Sequence, residues 1–113
     1  MHEMALTESM VEIALEEARK AGAARVQRIV LDVGALSSVA PEAMMFCFSA
    51  VSAGTAAEGA ELVIEPVEGA GWCPECERTV PISERFDPCP ECGGYKVQIT
   101  KGGELRIREL EVV

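Results

Sequence analysis

The chain has 113 residues, enough for one ordinary domain or for a small core with a satellite domain that needs additional stabilisation. Its formal charge is -9, from 10 Lys and Arg against 19 Asp and Glu, and no stretch clusters the cations, which argues against a nucleic-acid partner. There is no secretory signal and no apolar run long enough for a membrane span, so we expect a cytoplasmic protein whose five cysteines are metal ligands or buried groups rather than disulfides.

Two helices and two strands are predicted in the first part of the chain. Apolar residues at helical spacing predict an amphipathic helix over Leu6–Ala21, and alternation predicts a strand from about Arg25 to Val33. A proline followed by an acidic residue favours a helix start, so a second helix is predicted over Pro41–Ser52. A second strand is predicted over Glu61–Pro66.

The apolar faces of these helices indicate what they bury. The first helix is expected to bury a stripe made of Leu6, Met10, Ile13, Ala14 and Ala18. On the second helix the apolar residues cover so wide a face that it must be buried or bind a partner; they are Met44, Met45, Phe46, Cys47, Phe48 and Val51. Among them Cys47 is predicted to be a small buried apolar residue rather than a ligand.

After residue 67 the pattern of core residues stops. The glycines of the segment Glu68–Gly71 predict a hinge, and Gly102 and Gly103 predict a hairpin between two flanking strands. In the last strand the apolar residues change parity near Arg108 and Glu109, which suggests a bulge or a change of packing layer.

Four cysteines in the C-terminal half follow the pattern C-x2-C-x12-C-x2-C. They are Cys73, Cys76, Cys89 and Cys92. Two such knuckles supply the four thiolates of a tetrahedral zinc site, which is the favoured interpretation over an iron–sulfur cluster, a pair of disulfides or a redox-active pair. Four protein ligands leave zinc no open position, so its role would be structural, and it would supply folding free energy that a small domain lacks.

The single histidine of the chain is residue 2. Its imidazole can act together with the terminal amine of Met1 and the main-chain amides of His2 and Glu3 to form a planar set of nitrogens. Such a set suits Ni(II) or Cu(II). Taken alone, a histidine at this position is a weak signal, because an exposed, frayed terminus is the commoner explanation.

The motifs taken together resemble the HypA family of nickel metallochaperones, which act in hydrogenase maturation. The resemblance rests on the opening MHE, the segment Val33–Ser37, the run FCFSAVSAGTAAEGAELVIE, and WCPEC followed by CPECGG, all in order along the chain. It implies an α+β fold with a nickel-binding domain of two helices and a roughly three-stranded mixed sheet, over residues 1–68 and about 104–113. A zinc-ribbon-like domain would be inserted at residues 69–103.

The resemblance also implies the function and the partners. The protein would not be an enzyme but would carry Ni(II) as transferable cargo at His2, with Met1 and Glu3 adjacent, and a structural zinc on the four cysteines. It would work with the GTPase HypB to load nickel into the large subunit of nickel-iron hydrogenase. Some family members also serve urease, which adds urease accessory proteins to the expected partners.

Two positions depart from the family pattern. Some members carry an acidic residue where this chain has Ala40, and some carry a histidine after the last cysteine, where this chain has Gly93 and Gly94. The zinc domain therefore has no imidazole to offer nickel. Glu3 and Glu42 remain as oxygen donors, although Glu42 is explained more simply as a first-turn helix residue. The main alternative is a zinc-ribbon interaction module with no transferable metal; a catalytic role lacks a nucleophile beside a base.

Overall fold

The structure is a computed structural model that describes residues 2–113. It contains two helices and six strands, which confirms the predicted α+β class. In chain order these are α1 His2–Lys20, β1 Val26–Gly34, α2 Pro41–Ser52, β2 Glu61–Val67, β3 Ala70–Cys73, β4 Arg78–Pro81, β5 Gln98–Lys101 and β6 Leu105–Val112.

Helix α2 has the bounds that the sequence predicts, whereas α1 begins at His2 rather than at Leu6. The additional turn carries an acidic residue, Glu3, where the helix dipole favours one. The hydroxyl of Thr7 donates a hydrogen bond to the carbonyl oxygen of Glu3 at 2.6 Å. The start was missed because the apolar spacing that reveals the helix becomes visible only from Leu6 onward.

The strands form two three-stranded sheets, with orders β2-β1-β6 and β4-β3-β5. In the second sheet β3 pairs antiparallel with both neighbours. The hairpin predicted between the last two strands is wrong, because β5 and β6 belong to different sheets. The chain turns at Gly102, which has φ +99°. Its carbonyl oxygen accepts a hydrogen bond from the amide of Leu36 at 2.7 Å, and β6 does not fold back on β5.

The contacts divide the chain into two compact units. The first unit comprises Met1–Leu31, Val39–Glu65 and Arg106–Val113, and the second comprises Asp32–Ser38 and Pro66–Leu105. The boundaries predicted from the sequence, residues 69–103 for the inserted domain, stay a prediction.

In the first unit α1 packs against α2 around an aliphatic core. The buried face of α1 differs from the predicted stripe, because Ile13 is 55% exposed whereas Thr7 and Val11 are buried. Ala14 and Ala18 are also buried. The buried face therefore combines Met10 of the predicted stripe with smaller side chains and excludes Ile13. On α2, Cys47 is buried as predicted.

The second unit has a separate small core made of Leu36, Cys73, Val80, Ile82 and Cys89, with Cys76 and Val97 packed against it. Three of these seven residues are cysteines, and only four are other apolar side chains. So small a core buries little apolar surface for its length, which is the situation in which a metal contributes to folding.

Three glycines let main-chain segments of the second unit approach closely. A Cβ atom on Gly34 would lie 1.9 Å from the carbonyl oxygen of Gly102, and one on Gly102 would lie 2.5 Å from the Cα of Gly69. A Cβ on Gly69 would in turn lie 2.3 Å from the carbonyl oxygen of Ile82. Gly69, at the predicted hinge, thus has a packing reason for its presence, and the hinge motion itself stays a prediction.

The burial of the last strand shows the change of parity seen in its sequence, and the bulge or change of layer stays a prediction. Half-buried residues alternate with exposed ones along β6, and the alternation changes phase at Arg108 and Glu109, which are both exposed. Arg108 forms an ion pair with Glu65, with the closest N and O atoms 3.4 Å apart.

Candidate metal sites

The two cysteine knuckles have the same local structure. Cys73 ends β3 and Cys76 lies in the turn that follows it, while Cys89 and Cys92 lie in the long connection between β4 and β5. The residue after each knuckle has a left-handed main chain, with φ 52° in the first and 74° in the second; these residues are Glu77 and Gly93. The two turns bring the four Sγ atoms together around one position.

The sulfur atoms are arranged as a single ion requires. The Sγ atoms of Cys73 and Cys92 are 3.7 Å apart, those of Cys76 and Cys89 are 3.8 Å apart, and all four lie within 4.8 Å of one another. A tetrahedron with Zn–S bonds of about 2.3 Å has edges of about 3.8 Å. The pairs are too far apart for disulfide bonds of about 2.05 Å. They are also too close together to surround a cluster of several iron atoms.

The cluster also has the electrostatics of a cation site. The hydrogen bond with the Cys92 side chain raises the pKa of the Cys76 thiol to about 12, whereas the main-chain amide of Cys92 lowers the pKa of Cys89 to about 7. Cys89 therefore ionises more easily than Cys76, because a main-chain amide stabilises the Cys89 thiolate whereas hydrogen bonding and burial favour the neutral Cys76 thiol. A bound dication would favour the thiolate form of all four.

An ion pair joins the two knuckles on the outside. The Arg78 Nε donates to Glu91 Oε2 at 2.8 Å, and the Arg78 Nη2 donates to the other carboxylate oxygen. The Arg78 guanidinium also lowers the pKa of the Glu91 carboxyl. Because Arg78 follows the first knuckle and Glu91 lies within the second, this two-pronged contact spans both. Sequence reasoning missed it, since two opposite charges 13 residues apart carry no signal of their own.

At the amino terminus the structure describes His2 and Glu3, whereas the predicted donor Met1 lies outside the described residues. The imidazole of His2 is half exposed, and its Nδ1 is 4.0 Å from Glu3 Oε1. The other oxygen, Glu3 Oε2, accepts a hydrogen bond from the amide of Ala40 at 3.2 Å. This hydrogen bond lowers the pKa of the Glu3 carboxyl.

The remaining acidic candidate, Glu42, is an exposed residue in the first turn of α2. Within residues 2–113, the four cysteines are the one group of three or more His, Cys, Asp or Glu side chains placed to share an ion. A nickel site at the terminus would therefore have to use main-chain nitrogens together with His2.

Comparison with known proteins identifies the family. A family model described as "Hydrogenase/urease nickel incorporation, metallochaperone, hypA" matches residues 1–112. The chain belongs to the HypA family. It is 54% identical over 112 residues to hydrogenase maturation factor HypA 2 of Bradyrhizobium diazoefficiens, covering 99% of both chains. It is 52% identical over 113 residues to HypA of Rhizobium leguminosarum bv. viciae, covering 100% of both.

Solved structures of the family have the same fold. The solution structure of the Ni metallochaperone HypA from Helicobacter pylori matches with a TM-score of 0.73 at 23% identity, covering 100% of this chain and 98% of that one. A second solution structure of a HypA protein matches with a TM-score of 0.74 at 25% identity, covering 100% and 97%. These matches support the two-helix, mixed-sheet fold with a zinc-ribbon-like cysteine cluster that the sequence predicts.

The family membership places the chain among nickel metallochaperones of hydrogenase maturation, a class of metal carrier rather than of enzyme. No helix among residues 2–113 is long and apolar enough to cross a membrane.

Proposed function

We propose that this chain binds Ni(II) at its amino terminus and delivers it, with the GTPase HypB, to the large subunit of nickel-iron hydrogenase. The observation that carries the proposal is the family match over residues 1–112 combined with a single histidine at the second position. Its donors would be the terminal amine of Met1, the imidazole of His2 and the main-chain nitrogens of His2 and Glu3.

The start of α1 at His2 supports this donor set. The first four amides of an α-helix have no intrahelical acceptor. The amides of His2 and Glu3 belong to this first turn, so their deprotonation by a metal would break no hydrogen bond of the helix. A planar arrangement of such nitrogens is the geometry that Ni(II) accepts and that zinc does not favour.

The four cysteines would hold a structural zinc in the second unit. Their sulfur separations suit a tetrahedral ion, and a site closed by four protein ligands has no position for a water molecule or a substrate. Nickel and zinc are then kept apart by donor type, because the terminus offers nitrogens and the knuckles offer thiolates.

Helix α2 offers a surface for the partner. Phe46 is 77% exposed and Met45 is 47% exposed, although both lie on the wide apolar face that the sequence predicts to be buried or to bind a partner. We assign this exposed part of α2 to HypB. Replacing Phe46 and Met45 by Ser should weaken HypB binding and leave the unfolding temperature unchanged within about 2 °C, since neither side chain is part of the core. Unaltered HypB binding by the double variant would remove this assignment.

Nickel titration of untagged protein tests the nickel site. The native terminus is compared with a chain carrying an additional amino-terminal Gly-Ser and with His2→Ala, at several pH values. Both changes should weaken nickel binding, and the native site should weaken as the pH falls, because its donors must lose protons. Equal affinity in all three proteins would favour the alternative, a zinc-ribbon interaction module without transferable metal.

A second experiment tests the delivery of nickel. Nickel-loaded protein is mixed with HypB, nucleotide and the metal-free hydrogenase large subunit, and nickel in the large subunit is measured. Transfer should depend on both HypB and His2. If urease accessory proteins also receive nickel from this chain, urease is a second client of the same site.

A further inference from the structure

Helix α2 has no cap of its own. The N-cap residue Ala40 makes no side-chain cap hydrogen bond, and Pro41 follows it as the first helical residue. In a capping box, a Glu or Gln at the third helical position reaches back to the amide of the N-cap residue. That position here is Ala43, which has no polar atom in its side chain. The amide of Ala40 therefore has no side-chain acceptor at the N-cap or third position of α2 itself.

Glu3 of the other helix supplies that acceptor. Its Oε2 accepts the Ala40 amide at 3.2 Å, although the two residues are 37 positions apart in the chain. The side chain of Glu3 is only 15% exposed, whereas that of its neighbour His2 is 51% exposed. Both helices belong to the first unit. One oxygen of this carboxylate thus accepts the amide of the N-cap residue of α2, and the other oxygen lies 4.0 Å from Nδ1 of the imidazole.

We infer that Glu3 is a positioning residue, whose carboxylate caps α2 from outside and thereby fixes the first turn of α1, with His2, against α2. The inference rests on the proposed nickel site. It assigns one oxygen of the Glu3 carboxylate to the N-cap residue of α2, and a metal that takes the Glu3 main-chain nitrogen would replace the contact between that amide and its own carboxylate. A terminal helical turn that is not tied down frays, and a frayed turn must be ordered before its nitrogens can chelate an ion. Holding the turn in place therefore increases the affinity for nickel without adding a ligand.

The capping role is tested first, on protein without nickel. Amide exchange is measured at Ala40, whose amide donates to Glu3, and at Met44, whose amide donates to the carbonyl oxygen of Ala40 at 3.1 Å. It is compared for wild type, Glu3→Ala, Glu3→Gln and the double variant Glu3→Ala/Ala43→Gln. Loss of the cap in Glu3→Ala should accelerate this exchange about fivefold. Glu3→Gln should remain close to wild type, because an amide oxygen also accepts a hydrogen bond. In the double variant, the glutamine introduced into α2 can complete a capping box within that helix and restore protection. Unchanged exchange in Glu3→Ala would overturn the capping role.

The positioning role is tested by nickel titration of the same variants with the native terminus. Affinity should fall in Glu3→Ala, remain near the wild-type value in Glu3→Gln, and stay low in the double variant, because the introduced glutamine protects α2 without holding α1. Recovery of nickel affinity in the double variant would overturn the positioning role. An equal loss in Glu3→Gln and Glu3→Ala would overturn it as well and identify the carboxylate as a ligand. If wild type binds no nickel at its terminus, the proposed function and the positioning role both fail, while the capping of α2 is judged by exchange alone.

Discussion

Replacing Gly34 by Ala should strongly destabilise the second unit. The added Cβ atom would lie 1.9 Å from the carbonyl oxygen of Gly102, where at least about 3.0 Å is needed, so the main chain must move by roughly 1 Å. That same carbonyl oxygen accepts the amide of Leu36 at 2.7 Å, and the movement would break this hydrogen bond. Overpacking costs about 1–3 kcal/mol and a lost hydrogen bond about 0.5–1.5 kcal/mol, which together give about 1.5–4.5 kcal/mol.

The measurement is urea unfolding of the zinc-loaded protein, followed by the fluorescence of Trp72. This is the only tryptophan of the chain, and it lies in β3 of the second unit. The midpoint should fall while the slope of the free energy against urea stays constant, because the surface exposed on unfolding does not change.

Gly103→Ala is the matched control. A Cβ at that position meets only the end of the flexible Arg85 side chain, at 3.2 Å, so its effect should be within about 0.5 kcal/mol. If Gly34→Ala destabilises the protein no more than Gly103→Ala does, the close approach of main-chain segments is not a constraint and the reasoning is refuted.

Three further predictions concern the second unit and its four cysteines. Removing zinc with a chelator should disorder residues 69–100 and leave the helical circular dichroism largely intact; retained amide protection there in metal-free protein would contradict a structural zinc. Arg78→Gln should accelerate zinc release to a chelator, because the ion pair of Arg78 with Glu91 joins the two knuckles. The acceleration should be smaller in Glu91→Gln protein, which lacks the partner, and at high salt, which screens an exposed ion pair. Glu77→Gly should stabilise the zinc-loaded protein by roughly 0.5 kcal/mol, since relief of left-handed strain outweighs the additional freedom of the unfolded chain; a lower urea midpoint would count against this.

Local signals predicted the elements well. The proline and glutamate at the start of α2 gave its bounds, and apolar parity located the change of phase in β6. The spacing of the cysteines predicted the one cluster of side chains among residues 2–113 that brings its donors together, because each knuckle is a local turn. A structural feature can be predicted from the sequence when the residues that form it are only a few positions apart.

Features that depend on tertiary contacts were missed. Gly102 and Gly103 read as a hairpin, but the carbonyl oxygen of Gly102 is held by the amide of Leu36, far away in the chain. The link between Glu3 and Ala40 and the link between Arg78 and Glu91 each join residues that no periodicity relates. Ile13 is exposed whereas Met10 and Val11 are buried, because tertiary packing selects the face of α1 that is covered and apolar spacing alone does not determine it.

The position of α1 has one more consequence for a carrier. The positive end of a helix macrodipole repels cations, and its effect is strongest in the first turn. Because α1 begins at His2, a nickel ion held there would sit at this unfavourable pole, and the Glu3 carboxylate, whose Oε1 lies 4.0 Å from the imidazole nitrogen Nδ1, would partly offset it. Such a site would bind chiefly through the fit of its nitrogens, without help from the dipole. Weak electrostatic retention of the ion would suit a member of a family of nickel metallochaperones.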